Sequence, residues 1–487
     1  MSMASEGTPF NSTARVRRGV VSLFLANGLS FVAVGLSYLV LSRILTPAEL
    51  GLYSAALVIG SFGTMVLDAG VKNTVIKSQI NVTKSQEEVL VGLLLVGSIL
   101  LVAILLLSYR PLSYLRPEVQ HDYLFLVLFG AIYLVSYPFI VVPTAMLERR
   151  LAYTGLAWIE SLGLLIERAA PLPLLLWSQA GIHSFTIALL VGRALRVIAL
   201  TMMYPVRPRL PTRERAREIW HLLVEGVWFQ LAIATALVRD NLAVILIGPL
   251  FGKQWMGYYA WGLQLCMIAS QAFVQIASRV SLPVLAQSSN SNERWAYCVT
   301  QSKVLTIFTG PVLLVLLSVI SQADRVLFGG KWQVATLLLP FLFLRTLPGM
   351  STTPLGILVM VQAGSRAYAK ASAIWTAAEF AGALALVTLL GPTGLAWSLA
   401  FLAWVGYAAL LRAAGPRPPQ VLKELLVAIL VRPSLLCAAA GALVLHYFSA
   451  SNLLPFWLVC FLAAVIVFGS VATEPTVRRM AAQRRRA

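Results

Sequence analysis

Acidic residues are scarce in this chain of 487 residues: Asp and Glu number 19 against 38 Lys and Arg, and charged residues of both signs make up only 12%. Soluble domains carry about 25% charged residues, so this shortage excludes a large water-facing domain. Cysteine is rarer still. Cys266, Cys298, Cys437 and Cys460 lie far apart in or beside apolar runs with no CxxC spacing, which argues against a disulfide framework or a zinc site and for small buried hydrophobes. His121, His183, His221 and His446 form neither HExxH nor another metal spacing; no metal and no cofactor is expected. GxSxG, a P-loop and a DxD pair are missing too, and no long polar loop offers room for a catalytic site. An enzyme is therefore not expected. No small-residue cleavage site closely follows the basic cluster of Arg15, Arg17 and Arg18, so the N-terminus reads as a short cytoplasmic tail before a retained first helix.

What the chain has is apolar length. Hydrophobic residues make up 59% and mean hydropathy is +0.81. Runs long enough to cross about 30 Å of hydrocarbon predict an all-α integral membrane protein of about fourteen helices: 19–42, 47–69, 86–108, 122–147, 155–178, 182–205, 221–247, 254–283, 297–320, 333–361, 366–390, 392–412, 424–448 and 453–472. The stretch LSRILTPAELGLYSAALVIG, Leu41 to Gly60, reads as a stop and a restart. Arg43 closes one span, Thr46 is an N-cap and Pro47 supplies the next first turn.

Loop charge sets the expected orientation, because Lys and Arg are retained on the cytoplasmic side. With both termini inside, the inner segments collect Arg15, Arg17 and Arg18, Lys72, Lys77 and Lys84, Arg149 and Arg150, the arginines from 207 to 217, and Arg478, Arg479 and Arg484 to Arg486. The outer turns keep only Arg43, Arg110, Arg116, Lys253, Arg325 and Lys331. A collar of this kind accounts for the net charge of +19 through anionic phospholipids, and no fold context for nucleic acid accompanies it.

The opening hairpin has a counterpart in VRDNLAVILIGPLFGKQWMGYYAWGLQLCMIAS, Val238 to Ser270. Both place Gly-x-Tyr after a short turn, Gly51 with Tyr53 and Gly257 with Tyr259. One joins expected helices one and two, the other seven and eight, the pattern of a parallel repeat. The expected organisation is an N-terminal six-helix lobe over 1–205, a cytoplasmic linker over 206–220, a second six-helix lobe over 221–412, and an extra helix pair with a basic tail over 413–487.

These segments also resemble a known family. Arg43, Leu45, Pro47 and Gly51 match the Arg-x-Leu-x-Pro-x-x-Phe-Gly-like turn of the Wzx-type polysaccharide transport flippases of the MOP exporter superfamily, with Leu50 where Phe is common. Asp240, Ile247, Gly248, Gly252, Gly257 and Tyr259 are similar to a second pattern of that family, with somewhat different spacing after the aspartate. LFGGKW and VQAGSRAYAK, beginning at Leu327 and Val361, sit like its loops. The resemblance implies alternating access by two lobes around a central cavity. It implies a flippase moving polyprenyl-diphosphate-linked oligosaccharide from the cytoplasmic to the outer leaflet of the inner membrane, for exopolysaccharide, capsule or O-antigen synthesis. A polysaccharide polymerase and glycosyltransferases are the implied protein partners, and the chain is expected to be a monomer. The alternatives are a small-molecule or multidrug exporter of the same superfamily and a polysaccharide-pathway membrane polymerase.

Candidate site residues are the ionisable groups inside the expected spans, where a charge costs at least about 2.5 to 3.5 kcal/mol on insertion scales. Arg43, Arg193, Arg196, Arg239 and Arg345 form the expected cationic, diphosphate-binding set, since guanidinium matches phosphate geometry and stays charged. Lys72, Arg149 and Arg279 are placed to collect the headgroup first. Glu160, Glu167, Asp240 and Glu379 are candidates for ion coupling or for pairing, Glu167 with Arg193 or Arg196 and Glu379 with Arg345. Arg239 and Asp240, about 100° apart on a helix, are expected to point different ways. Arg168 is a further intramembrane charge. Tyr133, Tyr137, Trp158, Trp228, Trp261 and Trp375 either stack on sugar rings or pack between helices and at interfaces.

Overall fold

The computed structural model describes residues 33–68, 83–108, 120–150, 153–177, 180–210, 228, 230–288, 290–416 and scattered positions between 418 and 465. The basic N-terminal cluster, Lys72, the linker beyond residue 210 and nearly all of the last two expected spans lie outside the described residues.

Among the described residues every regular element is helical: α1 Ala33–Ile44, α2 Pro47–Asp68, α3 Lys84–Leu107, α4 Gln120–Arg149, α5 Tyr153–Ala169, α6 Pro171–Trp177, α7 His183–Met203, α8 Gln230–Asp240, α9 Ala243–Phe251, α10 Lys253–Gln287, α11 Ser291–Phe328, α12 Gln333–Gln362, α13 Gly364–Leu390 and α14 Gly394–Ala413. Seven of the described stretches are long and apolar enough to cross a membrane, counting α13 and α14 together, and the pair α8 and α9, bent by 56°, makes an eighth. The chain is an all-α, multi-pass membrane protein. α13 and α14 are separate helices that pack on each other, divided at Gly391, whose φ of 66° is the left-handed backbone that glycine supplies without strain.

The chain divides into two compact units, Met1–Leu41 with Leu52–Ala234, and Ser42–Gly51 with Thr235–Ala487. In the first, α4 packs on α3 and α7, and α7 packs on α5. α3 starts at a capping box in which the Thr83 hydroxyl accepts from the Gln86 amide and the Gln86 side chain accepts from the Thr83 amide at 2.9 Å. Its buried Ser98 hydroxyl reaches the Leu134 carbonyl of α4 at 2.9 Å, the interhelical bond that a membrane bundle uses where packing has no hydrophobic drive. At one end of this unit the Tyr204 hydroxyl donates to the buried Glu87 carboxylate at 2.8 Å and accepts from Arg150 at 3.4 Å.

In the second unit α12 packs against α10, α11, α13 and α14. Its three internal prolines, Pro340, Pro348 and Pro354, are tolerated because neighbouring helices surround the freed carbonyls. The strap Ser42–Gly51 is fastened into this unit. Trp332 donates its indole proton to the Ser42 carbonyl at 2.9 Å, Trp261 donates to the Ser42 hydroxyl at 3.0 Å, and the two indoles stack 5.1 Å apart. Lys331 donates to the carbonyls of Arg43 and Leu45 at 2.6 and 2.7 Å. Burial pushes its ammonium below the ordinary lysine value, against the pull of Glu49 and Asp324. Gly51 and Gly257 meet backbone to backbone: a Cβ on either would overlap the other helix's main chain. The LFGGKW motif and both glycines of the Gly-x-Tyr pair thus hold the hairpin tip.

Candidate functional site

The first charged cluster grows from the contact of α5 with α7. Gly163 and Gly192 leave no room for side chains there, since a Cβ on Gly163 would overlap Arg196 and one on Gly192 would press on Glu167. Small residues let the helices close, and Glu167 of α5 then meets two arginines of α7. Its Oε1 lies 3.2 Å from Arg193 Nε and 3.1 Å from Arg196 Nη2, with Glu167 only 8% and Arg193 5% exposed. Neither Nε has a hydrogen-bond partner, and Glu167 Oε1 accepts none either. The contacts are close in distance but not aligned as hydrogen bonds.

Aromatic rings and a third arginine complete this cluster. The Arg193 guanidinium lies 3.7 Å from the centre of the Tyr133 ring, an electrostatic attraction that strengthens away from water. Arg168, one residue beyond Glu167, donates to the Tyr53 hydroxyl at 3.0 Å. Together with Phe129, these side chains line a cavity of about 100 Å³ carrying three guanidiniums and one carboxylate. The lining therefore has two positive charges in excess.

The second cluster sits where α8 ends. Asp240 Oδ1 accepts from Arg345 Nη2 at 2.9 Å and lies 3.5 Å from Arg239 Nε. Arg239 and Asp240 thus converge where the helical angle alone predicts divergence. The regular helix stops at Asp240, and the long arginine side chain turns back toward its neighbour. Arg345 makes its direct contact with Asp240 and acts on Glu379 only through its charge: fully buried Glu379 receives the indole proton of Trp375, one turn earlier on α13, at 2.7 Å. The Trp375 ring in turn lies 3.7 Å under the Arg239 guanidinium. α8 is tied to α13 by Thr235 with Ser372 at 2.8 Å and by Thr376 donating to the Thr235 carbonyl at 2.9 Å.

Of the remaining sequence candidates, Arg43 joins neither cluster. Its side chain is exposed and its carbonyl belongs to the Lys331 clamp. Arg149 is half-buried in the last turn of α4, Glu160 is half-buried two turns before Glu167, and Arg279 lies on α10. Of the aromatic candidates, Tyr133 and Trp375 lie under arginines, while Trp261 packs against Trp332. Tyr53 and Arg168 are absent from the expected cationic set. The signal for Tyr53 was its place in the repeated Gly-x-Tyr, but its counterpart Tyr259 does something else, donating to the Pro392 carbonyl at 2.6 Å. Among the described residues Cys266 and Cys298 are buried and free.

Comparison with known proteins gives one family and one fold. The family described as polysaccharide biosynthesis protein matches residues 40–337. A membrane protein of Klebsiella pneumoniae described as uncharacterized and located in the cps region is 23% identical over 341 residues, 69% of either chain. Among solved structures, the inward closed conformation of the lipid II flippase MurJ is similar with a TM-score of 0.66 at 14% identity, covering 92% of this chain and 98% of that one. An inward-facing multidrug resistance MATE family transporter of the MOP superfamily follows with a TM-score of 0.53 at 14% identity, covering 79% and 94%. At such identities the likeness speaks for the fold.

Proposed function

The chain belongs to the polysaccharide biosynthesis protein family, and from that premise we propose that it is a flippase for polyprenyl-diphosphate-linked oligosaccharide, with the diphosphate received by Arg168, Arg193 and Arg196. The observation that carries this reading is the cationic lining of that cavity, three guanidiniums around Glu167, with Arg193 and Arg196 on the membrane-crossing α7. Each intramembrane charge costs at least about 2.5 to 3.5 kcal/mol on insertion scales. Two excess cations are therefore retained at a cost that a dianionic ligand offsets. Guanidinium presents paired donors to phosphate oxygens and stays protonated throughout, and the Arg193 and Arg196 Nε atoms without hydrogen-bond partners are donors in reserve.

In this reading the substrate's hydrated head leaves the cytoplasmic leaflet and reaches the outer leaflet by alternating access of two six-helix lobes, with both termini on the cytoplasmic side of the inner membrane. The product feeds a polymerase or glycosyltransferase of polysaccharide assembly. Lys72, Arg149 and Arg279 collect the headgroup, and anionic phospholipids hold the basic loops.

The test uses sealed proteoliposomes, a lipid-linked oligosaccharide and a membrane-impermeant glycan-cleaving reagent. Exposure of glycan above empty-liposome leakage is expected for the wild type. Arg193→Gln and Arg196→Gln, at matched incorporation, are expected to fall to leakage. Unchanged exposure in both variants would remove the cluster from the mechanism.

A further inference from the structure

The second unit contains a larger cavity, about 220 Å³, whose lining differs in kind from the arginine cluster of the first. Arg239 is the charged group among its lining residues. Around it stand Thr352, Thr353, Tyr368, Ser372 and the Trp375 indole. Some of these polar groups are spoken for: Thr352 donates to the Gly349 carbonyl at 2.9 Å, and Ser372 pairs with Thr235. Others are not. The hydroxyls of Thr353 and Tyr368 have no hydrogen-bond partner in the described protein, and Arg239, whose Nε faces Asp240 and whose plane covers Trp375, has none for its two terminal nitrogens. All three residues are half-buried on the cavity wall, so their free donors are open to a ligand.

Charge decides which ligand chemistry fits. The lining carries one guanidinium, Arg239, and no carboxylate, with Asp240, Arg345 and Glu379 outside it. One cation against the three of the first cavity does not call for a diphosphate there. The volume of about 220 Å³ gives room for a sugar ring. Hydroxyls of both donor and acceptor character, with a guanidinium fork beside them, suit ring hydroxyls or a single ring carboxylate.

We infer that this cavity, lined by Arg239, Thr353, Tyr368 and Trp375, binds one sugar ring of the lipid-linked glycan, separately from the diphosphate site of the first unit. The inference rests on the flippase reading and adds the substrate class read by the second unit. It makes Thr353 and Tyr368 residues of glycan selectivity, positions that neither helical periodicity nor charge singles out.

The test compares equilibrium binding of sugar-free polyprenyl diphosphate with that of the same lipid carrying glucose, galactose, N-acetylglucosamine or glucuronic acid, using the purified full-length protein in nanodiscs. At least one glycosylated lipid is expected to bind tenfold or more tightly than the sugar-free one. Tyr368→Phe with Thr353→Val, which remove hydroxyls and keep volume, are expected to collapse that ratio to within about threefold of unity at an unchanged melting temperature. Arg193→Gln is expected to weaken all five lipids alike and keep the ratio. If no glycosylated lipid gains over the sugar-free one, or if the gain survives in the double variant, the inference is overturned. If Arg193→Gln leaves sugar-free binding intact, the diphosphate assignment fails whatever the ratio does. Gain with glucuronic acid alone assigns the ring carboxylate to Arg239, whereas gain with neutral sugars assigns ring hydroxyls.

Discussion

Both units place a carboxylate between two guanidiniums and lay one arginine 3.7 Å over an aromatic ring, Arg193 on Tyr133 in the first and Arg239 on Trp375 in the second. They differ in burial and balance. Glu167 is 8% exposed and lines a cavity with three arginines, whereas the Asp240 side chain is 48% exposed and the second cavity has Arg239 and no carboxylate in its lining. The same residue types thus line one cavity with three guanidiniums and one carboxylate and the other with a single guanidinium. Counting guanidiniums along the chain does not separate the two; which of them line a cavity does.

Removing the central carboxylate breaks this comparison most directly. Glu167→Gln leaves buried guanidiniums without their counter-charge and is expected to cost about 3 to 5 kcal/mol, read as failure to accumulate in membranes or a large fall in melting temperature. Asp240→Asn, at an open position, is expected to cost about 1 kcal/mol or less. Equal losses would show that burial does not distinguish the clusters.

Close packing offers a second contrast. A Cβ at Gly192 presses on Glu167, and one at Gly406 runs into the Trp375 ring. Gly192→Leu and Gly406→Ala are each expected to cost about 1 to 3 kcal/mol. The first should suppress binding of sugar-free polyprenyl diphosphate, and the second should suppress the gain from an attached sugar. Swapped effects would reverse the assignment of the cavities.

The smallest effects come from the rings. Tyr133→Leu removes a cation–π contact worth about 0.5 to 2 kcal/mol, and Trp375→Phe keeps the ring under Arg239 while removing the indole proton that Glu379 receives. A decline of several-fold in lipid affinity is expected from Tyr133→Leu, by titration in nanodiscs.

Much of the helical framework was legible in the sequence because hydrocarbon length and capping chemistry are local. The resemblance to polysaccharide transport proteins and the all-α membrane class hold, and expected spans such as 86–108 and 333–361 correspond to α3 and α12. The restart at Thr46 is a capping box: its hydroxyl accepts from the Glu49 amide at 3.3 Å and its amide donates to Glu49 Oε2 at 2.8 Å. The break at Asp240 was not legible, since no proline marks it, and neither was the long reach of Arg345 to Asp240 across 105 positions. Arg43 drew notice as a charge, yet the structure uses its carbonyl. Backbone groups leave no mark on composition. Thr353 and Tyr368 are ordinary residues of helices until the fold puts a cavity beside them.

The most direct test of the account is the initial rate at which sugar-free polyprenyl diphosphate crosses sealed proteoliposomes containing Arg168→Gln, Arg193→Gln, Arg196→Gln, Arg239→Gln or Arg345→Gln. The first three are expected to slow it to leakage, and the last two to leave it within a few-fold of wild type. Equal loss in all five, or loss confined to Arg239 and Arg345, would contradict placing the diphosphate in the first unit.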